Sequence, residues 1–248
     1  MMTKLAASGV ILLFAASVQA VDITACYQTV HQHEVGVLQV DLVCDGSGGP
    51  AIVVQRGGRL MLNGHSVSGR FIGIATDPGG RSRIEGPGEV LGAAAAGNLG
   101  CGISTTNLAE ISNVVIHDND CGITNYYNSP LRLTDVTVMN NARDGIAPTL
   151  AGPFSGKLKG TNLIVTGNGG VGIRVLGGAT LEGLVATGNT QYGLELPTTH
   201  RAKLFDSQLT GNAGGDVAAV RIPQLVRVTC DHSVNLGLGG TLGICTGD

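Results

Sequence analysis

Arg132, Lys159, Thr180 and Lys203 each stand nine positions ahead of an asparagine, namely Asn141, Asn168, Asn189 and Asn212. The same pattern extends to Arg59, Arg83, Glu110 and Gln224, so five of these eight positions are basic. Each precedes a mostly apolar position (Leu60, Ile84, Ile111, Leu133, Leu181, Leu204, Leu225). On a strand, where alternate side chains face opposite ways, each therefore points to solvent. Two like charges about 5 Å apart repel by roughly 1 kcal/mol in water, and several-fold more near a protein surface. A column of this kind stores repulsion that an anionic ligand relieves. A bland reading stands beside it: long basic side chains solvate an outer sheet and discourage edge pairing, with Glu85 and Glu110 neutralising part of the column.

Cations beside a sugar acid have a definite chemical use. Elimination or epimerisation at a uronate needs a base for the proton next to the carboxylate, and a cation to stabilise the enolate-like intermediate. Lysine can be that base when neighbouring charge assists it. Lys159 and Lys203 are the candidate bases, Arg132 and Arg174 the electrostatic clamps, and Tyr127 or His200 the acid. Arg59, Arg83, Tyr126, Glu195 and Arg201 are the candidate substrate contacts, with Arg174 and Glu195 expected to pair on adjacent repeats. The tyrosines can equally be loop packing. Variable segments 125–130, 148–157 and 197–202 carry several of these groups, and loops on a rigid scaffold are where function concentrates.

The sequence demands no cofactor. Calcium needs clustered oxygen ligands; Asp118, Asp120 and Asp144 are the nearest acidic set, although Asp118 opens a corner of the repeat and is expected to serve the turn. His31-Gln32-His33 is a thin metal signal, and no Ser-His-Asp nucleophile motif is present.

A repeat must position these groups. Asn119, Asn141, Asn168, Asn189 and Asn212 occupy one place in it, each followed by an aliphatic anchor. Successive anchors Ile74, Ile103, Ile123, Ile146, Ile173, Leu194 and Val217 lie 20 to 29 residues apart, and most follow a glycine. Short period-2 apolar stretches separated by Gly, Asn and Pro read as strands and turns. No amphipathic helical stripe is long enough to cover a sheet, and the leucine ladder of leucine-rich repeats is missing. The pattern predicts an all-β, right-handed parallel β-helix of about eight coils with three short strands per coil. It should run from Ala51 to Val228, between an N-terminal cap over residues 21–50 and a C-terminal cap over 229–248. Stacked about 4.8 Å apart, the corner asparagines should bond one another.

Composition agrees. Of 248 residues, 40 are glycine, none is tryptophan, 43% are apolar and 13% charged. Low charge and abundant aliphatics exclude a disordered chain, and the glycines lack collagen's three-residue period. Lys and Arg total 15 against 18 acids, which excludes a strongly basic nucleic-acid binder. Lys4, the apolar run from Leu5 to Val18 and the small-residue site ending at Ala20 read as a signal peptide over residues 1–20. No later segment is long enough to span a membrane. The expected location is secreted or periplasmic, and the expected state a monomer.

All six cysteines lie after this segment, none with C-x-x-C spacing. Six cysteines allow fifteen pairings, but they cluster as neighbours. Cys101 and Cys121 each precede the Gly-Ile anchor of their coil, so they should stack and bond. Cys26–Cys44 and Cys230–Cys245 would then staple the two ends.

Leu60-Met61-Leu62-Asn63-Gly64-His65-Ser66-Val67-Ser68-Gly69 resembles the LNGHxxSG coil near the N-terminus of right-handed β-helix repeat proteins of the pectate-lyase superfold. The corner asparagines and Gly-Ile repeats extend the resemblance from Gly58 to Val220. It implies the fold, but the superfold hosts lyases, epimerases, hydrolases, esterases and inert adhesins. The Asp-Pro-His-Asp motif of alginate epimerases is replaced here by Asp77-Pro78-Gly79-Gly80. The paired aspartates and Gly-His-Gly of polygalacturonases are reduced to Asn63-Gly64-His65, where His65 is expected to serve the turn. Two expectations follow: a secreted lyase- or epimerase-like protein acting on an acidic polysaccharide, or a non-catalytic glycan-binding or structural β-helix.

Overall fold

A computed structural model describes residues 20–46, 49–93, 100–106, 108–126, 129–148 and 156–248. Every strand pairing in it is parallel, and no helix occurs among the described residues. One coil shows the plan: strand Cys121–Asn125 lies on a first face, Leu131–Thr134 on a second and Thr137–Met139 on a third. Among the described residues the first face is a sheet of 10 strands. The other two merge into one sheet of 17, because Ala202–Thr210 and Gln224–Cys230 each run across both faces. From Ile52–Val54 onward the stack makes about eight turns.

Each face contributes an inward column of aliphatic side chains. Ile74, Ile103, Ile123, Ile146, Ile173, Leu194 and Val217 pair rung to rung on the first face and are at most 3% exposed. Leu60, Ile84, Ile111 and Leu133 do the same on the second, as do Val67, Val90, Ile116, Val138 and Val165 on the third. Full burial of each such side chain stabilises the fold by about 1.5–3 kcal/mol.

Coils begin earlier than the cap boundary at residue 50 suggests. Gln28–Val30, Val35–Leu38 and Leu42–Cys44 already pair with Ile52–Val54, Arg59–Met61 and Ser66–Gly69. The reason is hydrophobic: Val30, Leu38 and Leu42 extend the core columns into this segment. At the other end Ser233–Asn235 adds a rung to Gly215–Ala219. The signal segment, apart from Ala20, lies outside the described residues.

The corner before the first face is an amide ladder. Nδ2 of Asn119, Asn141, Asn168 and Asn189 donates to Oδ1 of the next asparagine at 3.1, 2.9, 2.9 and 2.8 Å. Asn212 ends the ladder by donating to Asp216 Oδ1 at 2.8 Å. The other carboxylate oxygen of Asp216, itself 1% exposed, accepts the backbone N–H groups of Asp231 and His232. Glycine in the following Gly-Ile pair is a packing requirement. A Cβ on Gly145 would sit 2.7 Å from Gly172 O, 2.9 Å from Asn168 Nδ2 and 3.0 Å from Val165.

A second corner, between the second and third faces, was not anticipated from sequence. Asn113, Asp135, Asn162, Gly183, Asp206 and Arg227 all adopt positive φ there, between 47° and 65°. Asn, Asp and Gly tolerate this left-handed conformation, and Arg227 is held in it by a bidentate pair with Asp206. That pair draws the Asp206 carboxyl below its ordinary range.

The three disulfides are Cys26–Cys44, Cys101–Cys121 and Cys230–Cys245, with Cα separations of 5.6, 4.5 and 4.9 Å. Cys101 and Cys121 are direct register partners.

Candidate functional site

The outward column of the second face follows the register read from the nine-residue spacing. Arg59 pairs with Arg83, Arg83 with Glu110, Glu110 with Arg132, Arg132 with Lys159, Lys159 with Thr180, Thr180 with Lys203 and Lys203 with Gln224. The column divides electrostatically. In its N-terminal half, Arg59 pairs with Glu85, and the Glu110 carboxylate pairs with Arg81, lying 3.3 Å from Arg83 Nε and 3.8 Å from Arg132 Nε. In its C-terminal half, Lys159 and Lys203 are exposed and make no ion pair with a described carboxylate.

A cleft of about 870 Å³ opens over that half. Arg132, Lys157, Lys159, His200, Arg201 and Lys203 line it, and no described lining residue is an Asp or Glu. Its floor is the uncharged rung Gly178-Ala179-Thr180, with Lys157 and Lys159 on one side and Arg201 and Lys203 on the other. A smaller groove of about 380 Å³, lined by Arg83, Glu85, Glu110, Arg132 and Lys159 among others, adjoins it. The two share Arg132 and Lys159 and lie side by side along the solenoid axis.

Lys157 belongs to this site, and sequence reasoning missed it. Its signal is the alternation Lys157-Leu158-Lys159, matched by Arg201-Ala202-Lys203 and Arg81-Ser82-Arg83. With period 2, both basic residues of each triplet face outward. The register places Arg81, Lys157 and Arg201 in one flanking row, separated there by Leu108, Pro130 and Gly178.

Other candidates lie elsewhere. Arg174 and Glu195 pair on adjacent rungs of the first face, as expected, and Arg174 Nη1 also reaches Asp144 Oδ2 at 2.9 Å. Partial burial works against the Arg174 charge, but the hydrogen bond to Glu195 and the two carboxylates outweigh it and raise its pKa. A guanidinium held this way by two acids is not free to clamp a sugar carboxylate. Ser104, Thr124 and Ala218 on this face are at most 5% exposed. Tyr126 is half-buried, donates its N–H to Thr105 O and lines neither groove. Tyr127 lies outside the described residues.

The acidic set does not converge. Asp118 contacts His117, Asp120 contacts Arg143 and Asp144 contacts Arg174. Among the described residues, no group of three His, Cys, Asp or Glu side chains is placed to hold a metal ion. His65 sits at a turn, 3.3 Å from Asp41.

Three-sided coils stacked rung on rung through parallel strands define the class as a right-handed parallel β-helix. The family model "Right handed beta helix region" matches residues 45–200, and the chain belongs to that family. Among solved structures, the periplasmic alginate epimerase AlgG matches with a TM-score of 0.55 at 17% identity, over 79% of this chain and 50% of that one. The Dettilon tailspike protein gp208 matches with a TM-score of 0.53 at 12% identity, over 85% and 53% respectively. The chain thus spans about half the length of these structures, and the likeness is one of fold. No curated protein matches it in sequence.

Proposed function

We propose that the trough between Arg132 and Lys203 binds an acidic polysaccharide and that the protein works outside the cytoplasm. The observation that carries this reading is the concentration of Arg132, Lys157, Lys159, Arg201 and Lys203 around one cleft whose described lining has no carboxylate. Such a cleft concentrates anions. Three disulfides suit an oxidising compartment, secreted or periplasmic. No helix among the described residues is long and apolar enough to cross a membrane.

The same cleft favours proton abstraction over hydrolysis. Most glycoside hydrolases need two carboxylates flanking the bond, whereas this lining offers amines, guanidinium groups and an imidazole. In an elimination, Lys159 or Lys203 takes the proton beside the uronate carboxylate while Arg132 stabilises the developing enolate. The glycosidic C–O bond then breaks, a carbon–carbon double bond forms, and His200 protonates the leaving oxygen. In an epimerisation the carbanion is instead reprotonated from the opposite side.

A second reading, binding without turnover, is favoured by the exposure of both lysines. The purified protein, incubated with uronate polymers, separates the two. Elimination gives an unsaturated product that absorbs in the ultraviolet, and epimerisation exchanges the abstracted proton with deuterated solvent. Salt-sensitive binding with neither signal supports the second reading; absence of binding to every acidic polymer contradicts both.

A further inference from the structure

Glu110 stands in the outward column between Arg83 and Arg132, where the flanking rungs carry cations. Its side chain is only 21% exposed and meets Arg81, Arg83 and Arg132 at once. A carboxylate surrounded by three guanidinium groups has the contacts an anionic ligand would make. Past this point a second groove, lined by Arg83, Glu85 and Glu110, adjoins the cleft and shares Arg132 and Lys159 with it. The charge thins: toward the C-terminus Lys159 and Lys203 make no ion pair with a described carboxylate, whereas toward the N-terminus Glu85 and Glu110 offset two of the three charges of Arg59, Arg81 and Arg83.

We infer that Glu110 is a specificity-determining residue that ends the anion-binding trough and limits the length of acidic chain it takes. The inference rests on the polysaccharide-binding reading above. An acidic chain lying along the axis gains a charge contact for each unpaired cation until it reaches Arg132. There it meets a fixed carboxylate that repels its own anionic groups and occupies the arginines they would need. Glu110 acts through local charge, so removing the same charge from a corner off the trough should not imitate its loss.

Size-defined oligouronates, tested by calorimetry with the full chain at fixed salt, supply the probe. For the parent, affinity should rise with oligomer length and then reach a plateau. In E110Q the plateau should come one or two sugars later and its affinity rise about two- to fivefold, the size of one further exposed charge contact. Its salt dependence should steepen as well. D206N, which removes a carboxylate paired with Arg227 on another corner, should leave the plateau where the parent has it. E110A is run beside E110Q, and thermal unfolding of each establishes that a folded protein is being compared. A folded Glu110 variant whose plateau matches the parent, or moves no more than that of D206N, overturns the inference. Failure of the parent to bind any oligomer removes the underlying reading instead.

Discussion

Lys159 and Lys203 stand in one column with a single residue, Thr180, between them in register. At about 4.8 Å per rung their backbones are about 10 Å apart, within the reach of two cations acting on one short stretch of polymer. Thr180 is exposed and sets the floor between them. Thr180→Glu should place an anion in the trough and weaken acidic-glycan binding at least tenfold, about 1.4 kcal/mol. Stability should change by under about 0.5 kcal/mol, because the position is on the surface. Titration of oligouronates together with a melting curve checks both parts.

Asn168 joins three rungs of the amide ladder and is fully buried. It accepts from Asn141 Nδ2 and N, and donates to Asn189 Oδ1 and Val138 O. Asn168→Ala strands these partners without water, at about 1–3 kcal/mol for each unsatisfied group. We expect a total loss of about 3 kcal/mol or more, read from denaturant unfolding.

Gly145 is expected to tolerate no side chain. Gly145→Ala pushes a methyl group against Gly172 O and Asn168 Nδ2, and overpacking of this kind costs about 1–3 kcal/mol. A melting temperature equal to that of the parent would show that the rungs can part there.

Asp248 gives the closing turn a pH dependence. Burial pushes its carboxyl pKa up, but the Ser233 hydroxyl and the N–H groups of Cys245, Ser233 and Ile244 outweigh this and hold it well below the usual carboxylate range. A depressed folded-state pKa contributes stability that is fully present above the unfolded value of about 4 and lost as pH falls toward the folded one. Asp248→Asn should therefore be less stable than the parent at neutral pH, and the gap should shrink below about pH 4. Unfolding curves of both proteins across that range test the sign.

The parts of the architecture legible in the sequence were those repeated at a fixed offset. The corner asparagines, the inward aliphatic column and the nine-residue step to Lys159 and Lys203 recur in coil after coil, so register could be counted. The second corner was equally repetitive, as Asn113-Val114, Asp135-Val136, Asn162-Leu163 and Gly183-Leu184. Its mixed residue types concealed one backbone requirement, positive φ. Asp144 was harder to place. It lies in a turn, off the strand ladder, and its contact with Arg174 depends on how that turn overhangs the next rung. Lys157 went unrecognised as a groove residue because it borders a loop of irregular length, although alternation with Lys159 gave its direction.

The most direct test of the cationic trough compares the parent with the triple variant Arg132→Ala, Lys159→Ala, Lys203→Ala on an acidic polysaccharide over rising salt. The account predicts that the parent binds, that binding falls as the Debye length shrinks from about 10 Å at 0.1 M toward about 3 Å at 1 M, and that the folded triple variant loses most of it. A folded triple variant that binds like the parent at every salt concentration would contradict the account and leave these residues as a solvated surface.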